Sequence, residues 1–145
     1  MGSLNNSTPR QVAATAAETI YRGYVYKISS NALTKITAKG DTAVAVADAS
    51  TVDSTGTARA ARTGEKIGAF FLGCGDIVQV ASVASQTWAV GAAVYLDDSV
   101  DGQVTTSAST SRPIGHYVGV GEVTSASNGD LIDVQLDVPS GAATV

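Results

Sequence analysis

Residues 131–138 read LIDVQLDV, and the alternation is strict. Ile132, Val134, Leu136 and Val138 share one side. Leu131, Asp133, Gln135 and Asp137 share the other. A helix repeats its faces every 3.6 residues, so this period of two does not suit one. It suits a strand with one dry and one wet face, which means an antiparallel sheet over a single core.

The same grammar recurs along the chain. IYRGYVYKI (20–28) sets Tyr24, Tyr26 and Ile28 against Val25 and Lys27. TAVAVAD (42–48) is a strand of small residues, and IGAFFLGCG and DIVQVAS follow around a glycine-rich bend at Gly73-Cys74-Gly75-Asp76. Ser127-Asn128-Gly129-Asp130 separates two apolar runs and predicts a hairpin. The remaining helical candidates are Ala13 to Ile20 and a short turn over Ser85 to Val90. With 15 glycines and 6% aromatic residues, the chain predicts eight to ten short strands joined by tight turns. The expected fold is all-β, a small antiparallel barrel over residues 18–139. An extended arm over 1–17 precedes it, and a short tail over 140–145 follows. Residues 50–66 are expected to form a long surface loop.

Charge and residue inventory narrow the function classes. The net charge of −4 argues against a phosphate-binding surface, and Arg59 and Arg62 are too few to make one. One cysteine, Cys74, precludes an intrachain disulfide; with one histidine, His116, it cannot build a Cys/His zinc site within one chain. No stretch approaches the apolar length of a membrane span, and no signal-peptide core is seen, so synthesis in the cytosol is expected.

Asp97, Asp98 and Asp101 fall within five residues, and Asp97, Ser99 and Asp101 at alternate positions with Gly102 next have the spacing of the first half of a calcium loop. The twelfth position counted from Asp97 is Ala108, where an EF-hand needs a bidentate carboxylate, and the flanks AAVYL and QVTT are strand-like. A hairpin turn is the better reading. Cys74 and His116 are the one nucleophile–base pair on offer, and the sequence supplies no aromatic or basic companions to the carboxylates, so no enzyme is expected. GVGEVTSASNG lacks the strand–glycine–helix context of a dinucleotide site, and no cofactor is expected.

Three segments together resemble a known family. They are ETIYRGYVYKI, VGAAVYLDDSVDGQVTT and RPIGHYVGVGEVTSASNGDLIDVQL, which span about 120 residues in order. The resemblance is to the capsid decoration, or cement, proteins of tailed bacteriophages, of the lambda head decoration type. It implies a β-tulip barrel, a homotrimer, and a seat on the outer surface of an expanded icosahedral capsid. It implies the major capsid protein as partner, with neither nucleic acid nor membrane. It also implies an N-terminal arm that reaches over that partner, here through Ser7, Thr8, Pro9, Arg10, Gln11 and Val12. Arg59, Arg62 and Trp88 are candidate capsid or subunit contacts. The alternative is an exposed β module that binds carbohydrate or calcium.

Overall fold

A computed structural model describes residues 11–38, 45–48, 63–64, 66–71, 75–108 and 113–136. Among them are twelve strands and no helix. The first five are β1 (Gln11–Ala16), β2 (Val25–Ser29), β3 (Ala32–Lys35), β4 (Ala45–Asp48) and β5 (Lys66–Phe71). Then come β6 (Ile77–Ser82), β7 (Thr87–Trp88), β8 (Ala93–Leu96) and β9 (Val104–Thr105), followed by β10 (Gly115–Tyr117), β11 (Val123–Thr124) and β12 (Asp130–Leu136).

The all-β barrel architecture is present, and it is built twice. The first five strands close one ring in the order β1-β3-β2-β4-β5. The second ring runs β10-β12-β6-β9-β8, and β7 and β11 form a separate two-stranded ribbon. Each ring contains one parallel pair, β1 with β3 and β6 with β9; the other pairs are antiparallel. Alternation predicts strands but not which strand closes on which, so it pointed to one barrel where the chain makes two.

A five-stranded ring is narrow, and its lumen has room for few large side chains. The first ring meets this with alanine. Ala16, Ala45 and Ala47 line it with Ile20, Leu33 and Tyr26. In β4 the residues between the alanines turn the other way. Val46, with Val25 of β2 and Ile36, joins the core of the second ring, packing with Val78, Val80, Val94, Val104, Ile132, Val134, Leu136 and Trp88. The start of β2 (Val25 and Tyr26) and Ala45 to Ala47 of β4 are therefore dry on both faces and act as a wall shared by the two rings. Backbone hydrogen bonds run across the seam. Val25 N–H donates to Gly102 O (2.7 Å), Gly102 N–H to Ile36 O (2.8 Å), and Ala81 N–H to Gly23 O (2.8 Å).

Three sequence expectations change. Residues 11–16, expected in a free arm or at the start of a helix, form β1 and pair with β5 from Gln11↔Phe70 to Thr15↔Lys66. The alanines of QVAATA favour a helix when isolated, but pairing with β5 overrides local propensity. At residues 127–130 the turn is present, with Gly129 at φ +94° and Asp130 N–H donating to Ser127 O. No hairpin results, because β11 pairs with β7 while β12 lies between β6 and β10. The segment 85–90 carries the short strand β7 rather than a helical turn.

Candidate functional site

Among the described residues, those singled out from the sequence do not converge. Ser7, Thr8, Pro9, Arg10, Arg59, Arg62 and Cys74 lie outside the described residues, as does most of the loop 50–66. Gln11 and Val12 sit in β1, opposite Phe70 and Ala69 of β5. Trp88 is 0% exposed, so its indole is core and not a contact surface. Its ring packs beside Tyr117, with centroids 6.4 Å apart.

Trp88 also anchors a buried polar chain. Its Nε1–H donates to Ser82 Oγ (3.0 Å), and Ser82 Oγ lies 3.2 Å from Ser125 Oγ. Ser125 Oγ donates to Val83 O (2.6 Å) and accepts from Gln86 N–H (3.0 Å). Each of these side-chain polar atoms, the Trp88 Nε1, Ser82 Oγ and Ser125 Oγ, has a partner, as a dry site requires. The arrangement fixes the β7–β11 ribbon to the end of β6. Gln103, nearly fully buried, does similar work at the seam. Its Nε2–H donates to Tyr24 Oη (2.8 Å), and its Oε1 accepts from Gly129 N–H (3.0 Å).

The titratable groups also read as structural. Burial pushes the Tyr26 phenol well above its ordinary range, opposed by a hydrogen bond to its oxygen from Tyr21 N–H (3.2 Å). Glu18 pairs with Lys35 Nζ at 3.4 Å and accepts from Lys35 N–H at 3.1 Å. His116 is half-buried on β10, on the side of that strand away from Tyr117. Asp97 accepts from Ser99 N–H at 3.3 Å and opens the turn from β8 to β9, which pair as an antiparallel hairpin. Among the described residues no three His, Cys, Asp or Glu side chains gather as a metal site would need.

What remains is surface. The wet face of β6 and β12 carries three cross-strand pairs, Ala81↔Leu131, Gln79↔Asp133 and Ile77↔Gln135, of which Ala81 alone is buried. A tight turn over residues 21–24 crosses one end of it. Tyr24 N–H donates to Tyr21 O (3.2 Å), and Gly23 has φ +81°. A Cβ on Gly23 would stand 2.5 Å from Leu131 Cδ2 and 3.0 Å from Ala81 N, so only glycine lets the turn lie this close. Arg22 at its tip donates from Nη2 to Gln79 Oε1 (2.7 Å), and Tyr21 leans on Tyr24 with centroids 5.2 Å apart. Ile77 (58% exposed), Tyr21 (47%) and Leu131 (36%) make this face unusually apolar for solvent. A second exposed group, Val90, Val120 and Val123, lies in and beside the β7–β11 ribbon.

No family model matches the chain, and no curated protein matches it either. Three solved chains do. One is the N base of the head fiber protein gp8.5 of bacteriophage phi29, with a TM-score of 0.50 and 14% identity over 92% of this chain and 98% of that one. At that identity the likeness is one of fold, and it extends over nearly the whole chain.

Proposed function

We propose that this chain is a structural protein of a phage head, held on the outer surface of the capsid and without catalytic activity. The observation that carries the reading is the fold shared with the phi29 head fiber base along 92% of the chain. The resemblance of its three segments to capsid decoration proteins points the same way. The partner is then the major capsid protein of the same virus. A domain that binds only the expanded shell stabilises that shell by mass action, because its binding energy is absent from every other state. Three copies around a local three-fold position, cementing neighbouring capsomers, are the finer form of this reading. Arg59 and Arg62 are its candidate cations for capsid carboxylates.

The arm in this reading is residues 1–10, because β1 belongs to the first ring. A truncation that starts at Glu18 would remove a ring strand as well as the arm. One that starts at Gln11 leaves β1 in place. The test is co-sedimentation with expanded heads that lack the protein, using the full chain and the Gln11 truncation. The full chain is expected to pellet at saturable stoichiometry, and the truncation to pellet less. Failure of the full chain to bind refutes the head assignment. Equal binding by both refutes the arm alone.

A further inference from the structure

We propose that the wet face of β6 and β12, with the turn 21–24 across it, joins two copies of this chain about a two-fold axis. The argument starts from two charges. Arg22 reaches over β6 but bonds to the neutral Gln79. Asp133 stands directly opposite Gln79 on β12, and among the described residues its carboxylate has no partner. Lys35 and Glu18 of the first ring do form an ion pair, at 3.4 Å. A guanidinium and a carboxylate thus lie within one cross-strand pair of each other, and neither makes an ion pair with a described residue.

A contact about a two-fold axis uses the same patch on both copies, so the patch must complement itself. This one does. An axis passing near Gln79 sets Arg22 against Asp133 of the partner subunit, and the symmetry repeats the pair. Leu131, Tyr21 and Ile77 then flank two charge pairs and exclude water from them. Tyrosine and arginine beside aliphatic side chains are what the centres of protein contacts favour. An acidic partner of another kind would satisfy Arg22 but would repel Asp133, so a second copy fits the face better.

The face is small. Five or six residues along two strands cover about 17–20 Å, at the low end of specific interfaces, so pairing in solution is weak, roughly in the 10–100 µM range. The contact is separate from any three-fold arrangement and does not rest on the head assignment.

The experiment is sedimentation velocity on the full chain from about 1 to about 200 µM at low salt, where charge pairing is least screened. The expected mass rises toward twice that of the smallest species. Arg22→Asp and Asp133→Arg should each weaken pairing by about tenfold or more, since each sets like charges face to face. The double variant R22D/D133R should restore it to within about threefold, because the swap rebuilds both pairs. If a reversal lowers the melting temperature, R22Q and D133N remove each charge with gentler changes and should each still weaken pairing. A mass independent of concentration overturns the proposal. So does a double swap that stays as weak as the single reversals. Head binding is measured apart, so loss of either result leaves the other interpretable.

Discussion

Val46→Ala tests the shared wall. Val46 lies in β4 of the first ring, is 0% exposed, and packs into the core of the second. The substitution removes two methyl-sized groups, about 1.6 kcal/mol of transfer free energy. The packed strands on both sides limit collapse, so the cavity adds about 1 kcal/mol. The sum is about 2–3 kcal/mol. For a chain of this size that corresponds to a fall in Tm of about 10 °C. The assay needs two probes. Far-UV circular dichroism reports both rings, while Trp88, the sole tryptophan, reports the second ring alone. If the rings share a wall, both probes must shift together and stay coincident, as in a single cooperative unit. A Trp88 fluorescence transition that holds its midpoint while the dichroism moves would refute the reasoning. The rings would then be independent, and the packing of Val46 against the second core would carry no energy.

Four further outcomes follow from the same structure. Gly115→Ala places a Cβ 2.2 Å from Gln135 O across the β10–β12 pair, and backbone has little room to yield. The expected loss is about 1–3 kcal/mol by urea titration, and an unchanged midpoint would show that the second ring is looser than described. Ser82→Ala leaves the Trp88 indole N–H buried without its acceptor, and should cost about 1–3 kcal/mol and shift the tryptophan emission. Ser30 (φ 51°) and Asn31 (φ 64°) form the two-residue turn between β2 and β3, where Asn-Gly is the favoured pair. Ser30→Asn with Asn31→Gly should therefore raise stability by about 1 kcal/mol, and Tm by about 3–4 °C. The Tyr26 phenol is raised in the fold, so the folded state keeps its proton where the unfolded chain loses it near pH 10. Its contribution is full below that pH and falls by about 1.4 kcal/mol per pH unit above it, until the folded group ionises in turn. Tyr26→Phe should flatten this alkaline limb of a stability–pH curve, and an unchanged slope would contradict the burial.

The most legible element was β12. Ile132, Val134 and Leu136 are buried and Leu131, Asp133 and Gln135 are exposed, as the strict alternation required. TAVAVAD was legible only as a strand. Alanine and valine are both apolar, so nothing in the string says that Ala45 and Ala47 fill one ring while Val46 belongs to the other core. For β2 the face was read wrongly in part. Tyr26 is buried, but so is Val25 on the opposite side, and Ile28 is exposed next to the turn to β3. A shared wall hides this, because where β2 enters it, at Val25 and Tyr26, both faces are dry and no polar side reveals the register. At Asn128-Gly129 the turn chemistry specified a reversal of the chain and not the partner that the next strand would choose. The wet face of β6 and β12 did leave a trace. Leu131 occupies a polar phase of LIDVQL, an exposed leucine where alternation calls for a hydrophilic residue. Its companions Tyr21 and Arg22 lie more than a hundred residues away, and only the folded chain brings them to it.

The glycines at the seam tie stability to surface chemistry. Gly23 lets the turn approach β6 and β12, and Gly102 (φ +76°) lies under Tyr24, where a Cβ would stand 2.6 Å from the ring. Gln103 then holds the Tyr24 hydroxyl from the second ring. The exposed face is thus assembled from both rings: Tyr21 and Arg22 come from the first, and Gln79, Leu131 and Asp133 from the second. Neither ring presents it alone. The wall of β2 and β4 that merges the two cores also sets how Arg22 stands relative to Asp133. A change that loosens the seam must therefore weaken the fold and blur the face together. A change at Arg22 or Asp133, both exposed, alters the face and leaves the wall intact. That separation is what allows pairing between copies to be probed without disturbing the fold.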